Sequence, residues 1–370
     1  QTGTGDLLPS GIEEFGALHA AAKMDADQTQ LAGYGQVGFR ISKRLTASAA
    51  WRVTRAKYAS VFGDPQYPQF IETFGSEQHR VDAGDTTSAP RFDLSYQHDE
   101  HDLYYLTVAK GYRMGGINAP VNWGGIDCSK LPDSYAPDDV WSVEVGAKNG
   151  FLDGRVQLNT SVFHASWRNA QVLFVFDPAN TICGYTANAG AATSDGFDLS
   201  LQALATDHLK LGLLMAYTDA HYTRTVTVQA NTWPYPVVII RKGDALGSLP
   251  LVPSPWNVTA SIGYDFNTTD GPRISVRAED IFHSRNPGPF TNKDPENLAW
   301  APGREPDPTT NLLNLRADLK WPSFDLALFV DNTLDSQPTL SLRNRSGTDS
   351  LYFATTFRPR TVGLTASWRF

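Results

Sequence analysis

Residues 361–370 read TVGLTASWRF. Val362, Leu364, Ala366, Trp368 and Phe370 alternate without a break with Thr361, Gly363, Thr365, Ser367 and Arg369. A strand turns successive side chains to opposite faces, so this decapeptide is a ribbon with one apolar and one hydrated face. The apolar face must meet either a packed core or hydrocarbon, and the rest of the chain decides which.

Read backwards from that ribbon, the chain repeats one unit: strand, short polar turn, strand, long loop. Tyr34–Ile41 alternates, turns at Ser42-Lys43-Arg44, and alternates again over Leu45–Thr54. The unit returns at 90–98 with 102–112 across His98-Asp99-Glu100-His101, and at 139–148 with 155–167 across residues 149–154. Pairs follow at 193–205 with 209–222, 256–266 with 273–283, and 311–321 with 324–333. With 360–370 this gives about 13 strands. Residues 12–24 are a weak fourteenth, and 171–177 read as a hairpin reaching into a loop. The other connections, near 58–88, 113–138, 168–192, 223–254, 284–309 and 334–358, are all long. Short turns on one rim and long loops on the other suit a transmembrane barrel. A propeller would carry a regular repeat with a shared signature, and none is present.

The strand at 311–321 argues for lipid. Leu313, Leu315, Ala317, Leu319 and Trp321 share one face; Asn314, Arg316, Asp318 and Lys320 share the other. A one-residue slip would turn all four polar groups outward, and an Arg or Lys at the bilayer midplane costs roughly 2–4 kcal/mol. On the next wall segment Trp256 and Tyr264 bracket Val258, Ala260 and Ile262. Eight steps at ~3.3 Å cover roughly 26 Å, close to the ~25 Å apolar band of such barrels. A soluble antiparallel sandwich is the competing arrangement. It rarely needs so many long strands with charges in rows. The fold expected is therefore all-β, an antiparallel transmembrane β-barrel, with residues 1–29 a loop or partial strand and 30–370 the barrel portion. The start, without Met or leader, reads as a mature, trimmed or partial chain.

Composition agrees. Charged residues are 19% of the 370, and 31 cations against 39 anions leave −8. No basic stripe exists to neutralise phosphates, which argues against nucleic acid. No run approaches the ~18 apolar residues of a spanning helix, and barrel strands would hide theirs on alternate positions.

Chemistry-bearing motifs are sparse. Gly33-Tyr-Gly-Gln-Val-Gly38 matches the dinucleotide fingerprint GxGxxG. It lies in an alternating strand that runs into a hairpin turn, whereas that fingerprint opens a helix. His98 and His101 flank two acids in a turn, read as solvated in preference to a metal site. No metal spacing and no GxSxG or HExxH motif points to catalysis, so no enzyme is expected. Cys128 and Cys183 are the whole thiol inventory. They either bridge two loops in an oxidising compartment or stand as separate thiols.

Residues 102–118, DLYYLTVAKGYRMGGIN, resemble the strand-and-loop block of TonB-dependent outer-membrane receptors. Residues 135–171 are similar to the block that follows, through Glu144-Val-Gly-Ala-Lys148, the turn at 151–155 and Trp167-Arg-Asn-Ala-Gln171. Asn188-Ala-Gly-Ala-Ala192 with Gly196-Phe-Asp-Leu resembles the next, with Asp198 where Glu is usual. Val330-Asp-Asn-Thr-Leu-Asp335 departs from the family at Thr333. The final strand resembles the closing strand that barrel-assembly machinery recognises, which makes Gly363, Trp368 and Phe370 its assembly signal.

The resemblance spans roughly residues 30–370 and matches only the later part of a receptor. The family's barrel has about 22 strands around an amino-terminal plug that TonB pulls; neither the plug nor the earlier strands are visible here. It implies a Gram-negative outer-membrane location in contact with lipid and lipopolysaccharide. It also implies energised uptake of a scarce nutrient, by default a ferric siderophore. No resident cofactor or metal is implied, Fe3+ being cargo. A passive porin-like channel is the alternative. In the family the outer loops bind the imported small molecule, which nominates Trp233, Tyr235, Arg241, Phe290, Trp300, Arg343, Arg345 and Tyr352.

Overall fold

The computed structural model describes residues 24–62, 79–118, 132–176, 183–228, 237–246, 254–266, 268, 271–286, 308–344 and 352–369. Nineteen strands follow in chain order: β1 Met24–Arg40, β2 Leu45–Phe62, β3 His79–Gln97, β4 Leu103–Arg113, β5 Gly116–Ile117, β6 Ser134–Tyr135, β7 Asp138–Phe151, β8 Val156–Phe176, β9 Cys183–Leu204 and β10 Leu209–Tyr222. The series continues with β11 Val226–Val228, β12 Val237–Ile240, β13 Trp256–Phe266, β14 Arg273–His283, β15 Thr310–Lys320, β16 Phe324–Asp331, β17 Ser341–Asn344, β18 Tyr352–Thr355 and β19 Thr361–Trp368.

Thirteen of these form one antiparallel meander, ordered β1-β2-β3-β4-β7-β8-β9-β10-β13-β14-β15-β16-β19. The other six pair as three small hairpins, β5–β6, β11–β12 and β17–β18, each inside a long connection on the same rim. Every short turn lies on the opposite rim, as the spacing predicts. In a 13-strand antiparallel array the edge strands β1 and β19 run the same way. They therefore cannot close an antiparallel barrel on each other.

Three expectations need correction. β1 starts at Met24, not near 30, and the weak strand at 12–24 otherwise lies outside the described residues. The connection expected at 168–192 is largely strand. β8 runs to Phe176 and β9 starts at Cys183, paired Phe176↔Cys183. The loop expected at 58–88 likewise shortens, with Met24↔Phe62 and Phe62↔His79 in register. Alternation fades there because these extensions rise above the apolar band, where both faces meet polar surroundings or folded loops.

The register keeps one face apolar across the wall. Leu211, Ile262, Ala278, Leu315 and Val330 fall in one cross-strand row. Lys210, Gly263, Arg277, Arg316, Phe329 and Gly363 fall in another, on the opposite face. The outward residues are bare: Val362, Leu364 and Trp368 are each more than 60% exposed. A wall one sheet thick has no interior of its own, and an apolar face this exposed matches the lipid-facing side of a membrane barrel. The one packed cluster among the described residues, Tyr185, Ala192, Tyr222, Val226 and Ile240, sits above the band, where β11–β12 folds onto β9 and β10.

Candidate functional site

Several charges on the inward face are paired with each other. On β3 the Arg91 guanidinium meets Asp93 at 2.7 Å, and Asp93 also accepts from Thr107 at 2.8 Å and Ser48 at 3.3 Å on flanking strands. Arg277 pairs with Glu279, Arg316 with Asp318 at 2.8 Å, and Lys210 with Asp265 at 2.6 Å. Residues two apart on a strand share a face, so each i, i+2 pair is a rung pointing into the lumen. Arg316 and Lys320 share this face with Asp318, as the alternation requires. Paired charges of this kind hold water and polar solutes at the wall. Between β4 and β14 this face forms a recess lined by Tyr105, Asn159, Ser161, Asp198, Asn257 and His283.

Three glycines on the same face lie under aromatic rings. Tyr105 covers Gly146 and donates its hydroxyl to Glu144 Oε1 at 2.6 Å. Phe163 covers Gly196, and Phe329 covers Gly363. A ring laid over a neighbouring glycine restores packing that the missing side chain leaves out and pins the register. Gly146, Gly196 and Gly363 all belong to the motifs singled out above, and this is what those motifs do structurally. Sequence shows the glycines but not which ring lies across the strand.

At the outer rim the blocks at 102–118 and 135–171 converge on one carboxylate. Asp138, at the start of β7, has a side chain only 1% exposed. It accepts from Arg113 Nε and Nη2, from Trp167 Nε1 at 3.0 Å and from the Gln171 amide at 2.9 Å. The guanidinium of Arg113 also lies 4.6 Å over the Trp167 ring. A bulge makes this possible. Asn169 has φ 52°, and the register slips between Trp167 and Gln171. The extra residue re-aims the Gln171 backbone toward Asp138. Burying a carboxylate is costly unless its lone pairs are filled, and here they are.

The β5–β6 hairpin is tied down beside this clamp. Asn118 donates to the Pro132 and Thr186 carbonyls and accepts from the Thr186 amide, all at 2.8–2.9 Å. Asn188 holds Ala136 by two hydrogen bonds of 2.7 Å. The hairpin folds inward over β2 and β3, where Thr54, Ala56, Tyr58 and Ser60 are buried. The backbone of Gly115 leaves no room for a Cβ beside the Asp85 carboxylate, and the Tyr58 hydroxyl is buried without a partner. Two hairpins, β5–β6 and β11–β12, thus narrow the outer mouth from the lumen side.

Of the nominated ligand residues, Trp233, Tyr235, Phe290, Trp300 and Arg345 lie outside the described residues. Arg343 lies in β17 and Tyr352 opposite its neighbour in β18, paired Asn344↔Tyr352. Arg241 follows β12 in a turn closed by its amide on Asp244 Oδ2 at 2.6 Å. Arg343 and Tyr352 thus share one hairpin, on its two paired strands. Trp368 packs on Phe324, which packs on Trp321, an aromatic cluster at the short-turn rim. Phe370 lies outside the described residues, as does Cys128, while Cys183 opens β9.

The family model "TonB dependent receptor-like, beta-barrel" matches residues 4–333. A metal-pseudopaline receptor, CntO of Pseudomonas aeruginosa, is 28% identical over 156 residues, which is 42% of this chain and 19% of that receptor. A probable TonB-dependent siderophore receptor, PiuA of Acinetobacter baumannii, is 27% identical over 135 residues, 35% of this chain and 17% of that one. Among solved structures, the ferric yersiniabactin uptake receptor FyuA from Yersinia pestis superposes with TM-score 0.67 at 15% identity. That match covers 93% of this chain and 46% of FyuA. The copper transporter OprC superposes with TM-score 0.62 at 13% identity, covering 94% and 49%. At these identities the structural likeness concerns the fold. The chain spans less than half the length of the solved receptors it matches.

Proposed function

Because the chain belongs to the TonB-dependent receptor β-barrel family, we propose that it forms the later wall of an outer-membrane receptor that actively imports a metal chelate. The default cargo is a ferric siderophore. TonB, energised from the inner membrane, drives transport through a plug outside this chain. The observation that carries the reading is the lumen face. Oriented charge pairs line it on β3 and on the neighbouring β14 and β15, beneath a mouth that inward-folded hairpins narrow. Such a wall suits a large polar solute and a filled lumen better than an open water pore, because its hydrogen-bonding groups are arranged in discrete, oriented pairs.

Relatives named for metal-pseudopaline, siderophore and copper transport support the metal class and leave the chelator open. In this reading the outer loops bind the chelate, the Asp138 clamp holds the mouth in shape, and the barrel-assembly machinery inserts the protein beside lipopolysaccharide.

The test is uptake of radiolabelled metal chelates by cells lacking the gene, with and without the full-length gene restored, in the presence and absence of a proton uncoupler. Gene-dependent, uncoupler-sensitive accumulation of one chelate is expected. Unchanged uptake of iron, copper, zinc and nickel chelates on deletion would remove the proposal; ion conductance insensitive to the uncoupler would mark a passive channel instead.

A further inference from the structure

The outward face changes character where the first strands climb past the apolar band. On β2, Thr54, Ala56, Tyr58 and Ser60 are buried on the lumen side, so the residues between them, Val53, Arg55 and Lys57, look outward. Leu45 stands at the short-turn rim opposite Tyr96. From Leu45 to Arg55 is ten steps. At ~3.3 Å each and a tilt of about 40°, they climb roughly 25 Å, the height of the apolar band. Arg55 therefore sits at the outer edge of the band and Lys57 just above it, at the depth where a lipid carries its phosphates.

The register sets hydroxyls beside these two cations. Arg55 lies between Leu31 on β1 and Thr86 on β3, and Lys57 lies between Thr29 and Gly84. Gly84 has no side chain to stand in the way of the Lys57 stem, whose Cγ lies 3.8 Å from where a Cβ would be. Arg55, Lys57, Thr29 and Thr86 are all exposed. Among the described residues neither cation has an acidic side chain within ion-pair distance, whereas neighbouring charges at this rim are matched. Arg80 pairs with Asp82, Lys110 with Asp139 and Arg113 with Asp138. At a similar height on β8–β10 the outward groups are matched too, His164 with Asp195 and His221 with Asp219. The chain holds 39 acids against 31 bases, so two adjacent cations left without a carboxylate call for an anion from outside it.

We propose that Arg55, Lys57, Thr29 and Thr86 form a seat for the phosphorylated headgroup of an outer-leaflet glycolipid. The inference rests on the outer-membrane reading above and names the partner on this stretch of wall. Guanidinium and ammonium groups bond phosphate oxygens with charge assistance, and the two threonine hydroxyls add neutral donors. Leu31 beside Arg55 and Val53 below it are exposed on the same face, 75% and 43%, where they meet the first methylenes of the acyl chains. A cation at the polar edge and bare aliphatic groups beneath it fit a lipid better than a free anion, which has no use for the second contact.

The full-length receptor, extracted from membranes in a mild detergent, is titrated with bisphosphorylated lipid A, and bound lipid is counted by native mass spectrometry. The heat-dependent gel shift of a folded barrel checks each variant. The wild type is expected to bind, and to bind more weakly as salt is raised. Arg55→Gln with Lys57→Gln should weaken binding by about thirty-fold, about five-fold for each cation. Arg55→Lys with Lys57→Arg keeps both charges and should bind nearly as the wild type does. Arg80→Gln removes a cation that already has its acid and should leave binding unchanged. The proposal fails if the folded double glutamine variant binds like the wild type, or if lipid A stripped of its phosphates binds as tightly. It fails too if Arg80→Gln loses as much as the double variant, or if inorganic phosphate displaces the lipid, which would mark a free-anion site. A wild type that inserts into membranes yet ignores lipid A overturns this site alone; a full-length protein that never enters a membrane overturns the reading on which it stands.

Discussion

The Phe329–Gly363 pair offers a sharp test of how the closing strand is held. A Cβ on Gly363 would sit 2.6 Å from both Cε1 and Cε2 of Phe329, with Cζ nearer still. Carbon contacts are comfortable near 3.5–4.0 Å, so the ring must retreat by about 1.5 Å. Overpacking of this size costs roughly 1–3 kcal/mol. Gly363→Ala should therefore destabilise by about 2 kcal/mol. Phe329→Ala should cost about 1–2 kcal/mol, less than the 3–5 of a fully buried ring, because this one lines the lumen. In the double variant the added methyl occupies space the ring has left. The combined cost should then fall about 1–2 kcal/mol short of the sum, the signature of contacting residues. Gly111→Ala is the control, since a Cβ there meets nothing within 4 Å; it should change stability by less than about 0.5 kcal/mol. Gly196→Ala differs again, because its Cβ also strikes the Tyr217 carbonyl, and Phe163→Ala should not rescue it. Reversible urea unfolding in vesicles, read by Trp fluorescence and by the gel shift of folded barrel, measures all of these. Strict additivity of Gly363→Ala and Phe329→Ala would refute the argument that the ring, and not strand propensity, makes glycine necessary there.

Asp138→Ala should loosen the outer rim by about 3–5 kcal/mol, since it strands Arg113 and leaves the Trp167 and Gln171 donors unfilled; protease cutting between residues 113 and 138 should rise while the short-turn rim stays resistant. Asn332, 2% exposed with φ 50°, donates to the Ser336 and Arg358 carbonyls and accepts from the Ser336 amide. Asn332→Ala should cost about 3 kcal/mol and expose residues 332–360 to proteolysis; unchanged cutting there would contradict that role. The Asp99 carboxyl is held below the usual carboxylate range, first by the His101 amide and then by Asp102. A depressed folded value means its contribution is present above about pH 3.9 and is lost as pH falls through the folded value. The protection factors of the His101 and Asp102 amides, measured against the intrinsic rate at each pH, should fall on that descent, and Asp99→Ala should remove this change in protection. Deleting Phe370 should impair insertion of the barrel, scored by surface protease accessibility in whole cells; normal surface assembly would be the contrary outcome.

Much of the wall was legible in advance. The thirteen strands, the short turns on one rim, and the inward placement of Arg316, Asp318 and Lys320 all follow from a period of two broken by polar turns. The strand lengths were less legible. β8 and β9 climb past the belts, and out there neither face has a single solvent to enforce alternation. The convergence of Arg113, Asp138, Trp167 and Gln171 was not legible at all. Each lies in a recognisable motif, but nothing in a one-dimensional reading says that a bulge at Asn169 turns them onto one carboxylate. Only the register places Asp280 and Asn311 side by side on the outward face.

By itself the sequence determined sidedness: which residues face lipid, which face water, and on which rim the loops lie. Side-chain direction along a strand depends on parity alone, and parity is written residue by residue. Tertiary structure decided the partners: the ring over each glycine, the donors around Asp138, the pair on the outer wall. Sliding one strand past its neighbour by two residues keeps every side chain on its proper face while changing every contact across the gap. Alternation is blind to that slide, and the packing of rings, bulges and hydrogen bonds between strands selects one register from among them.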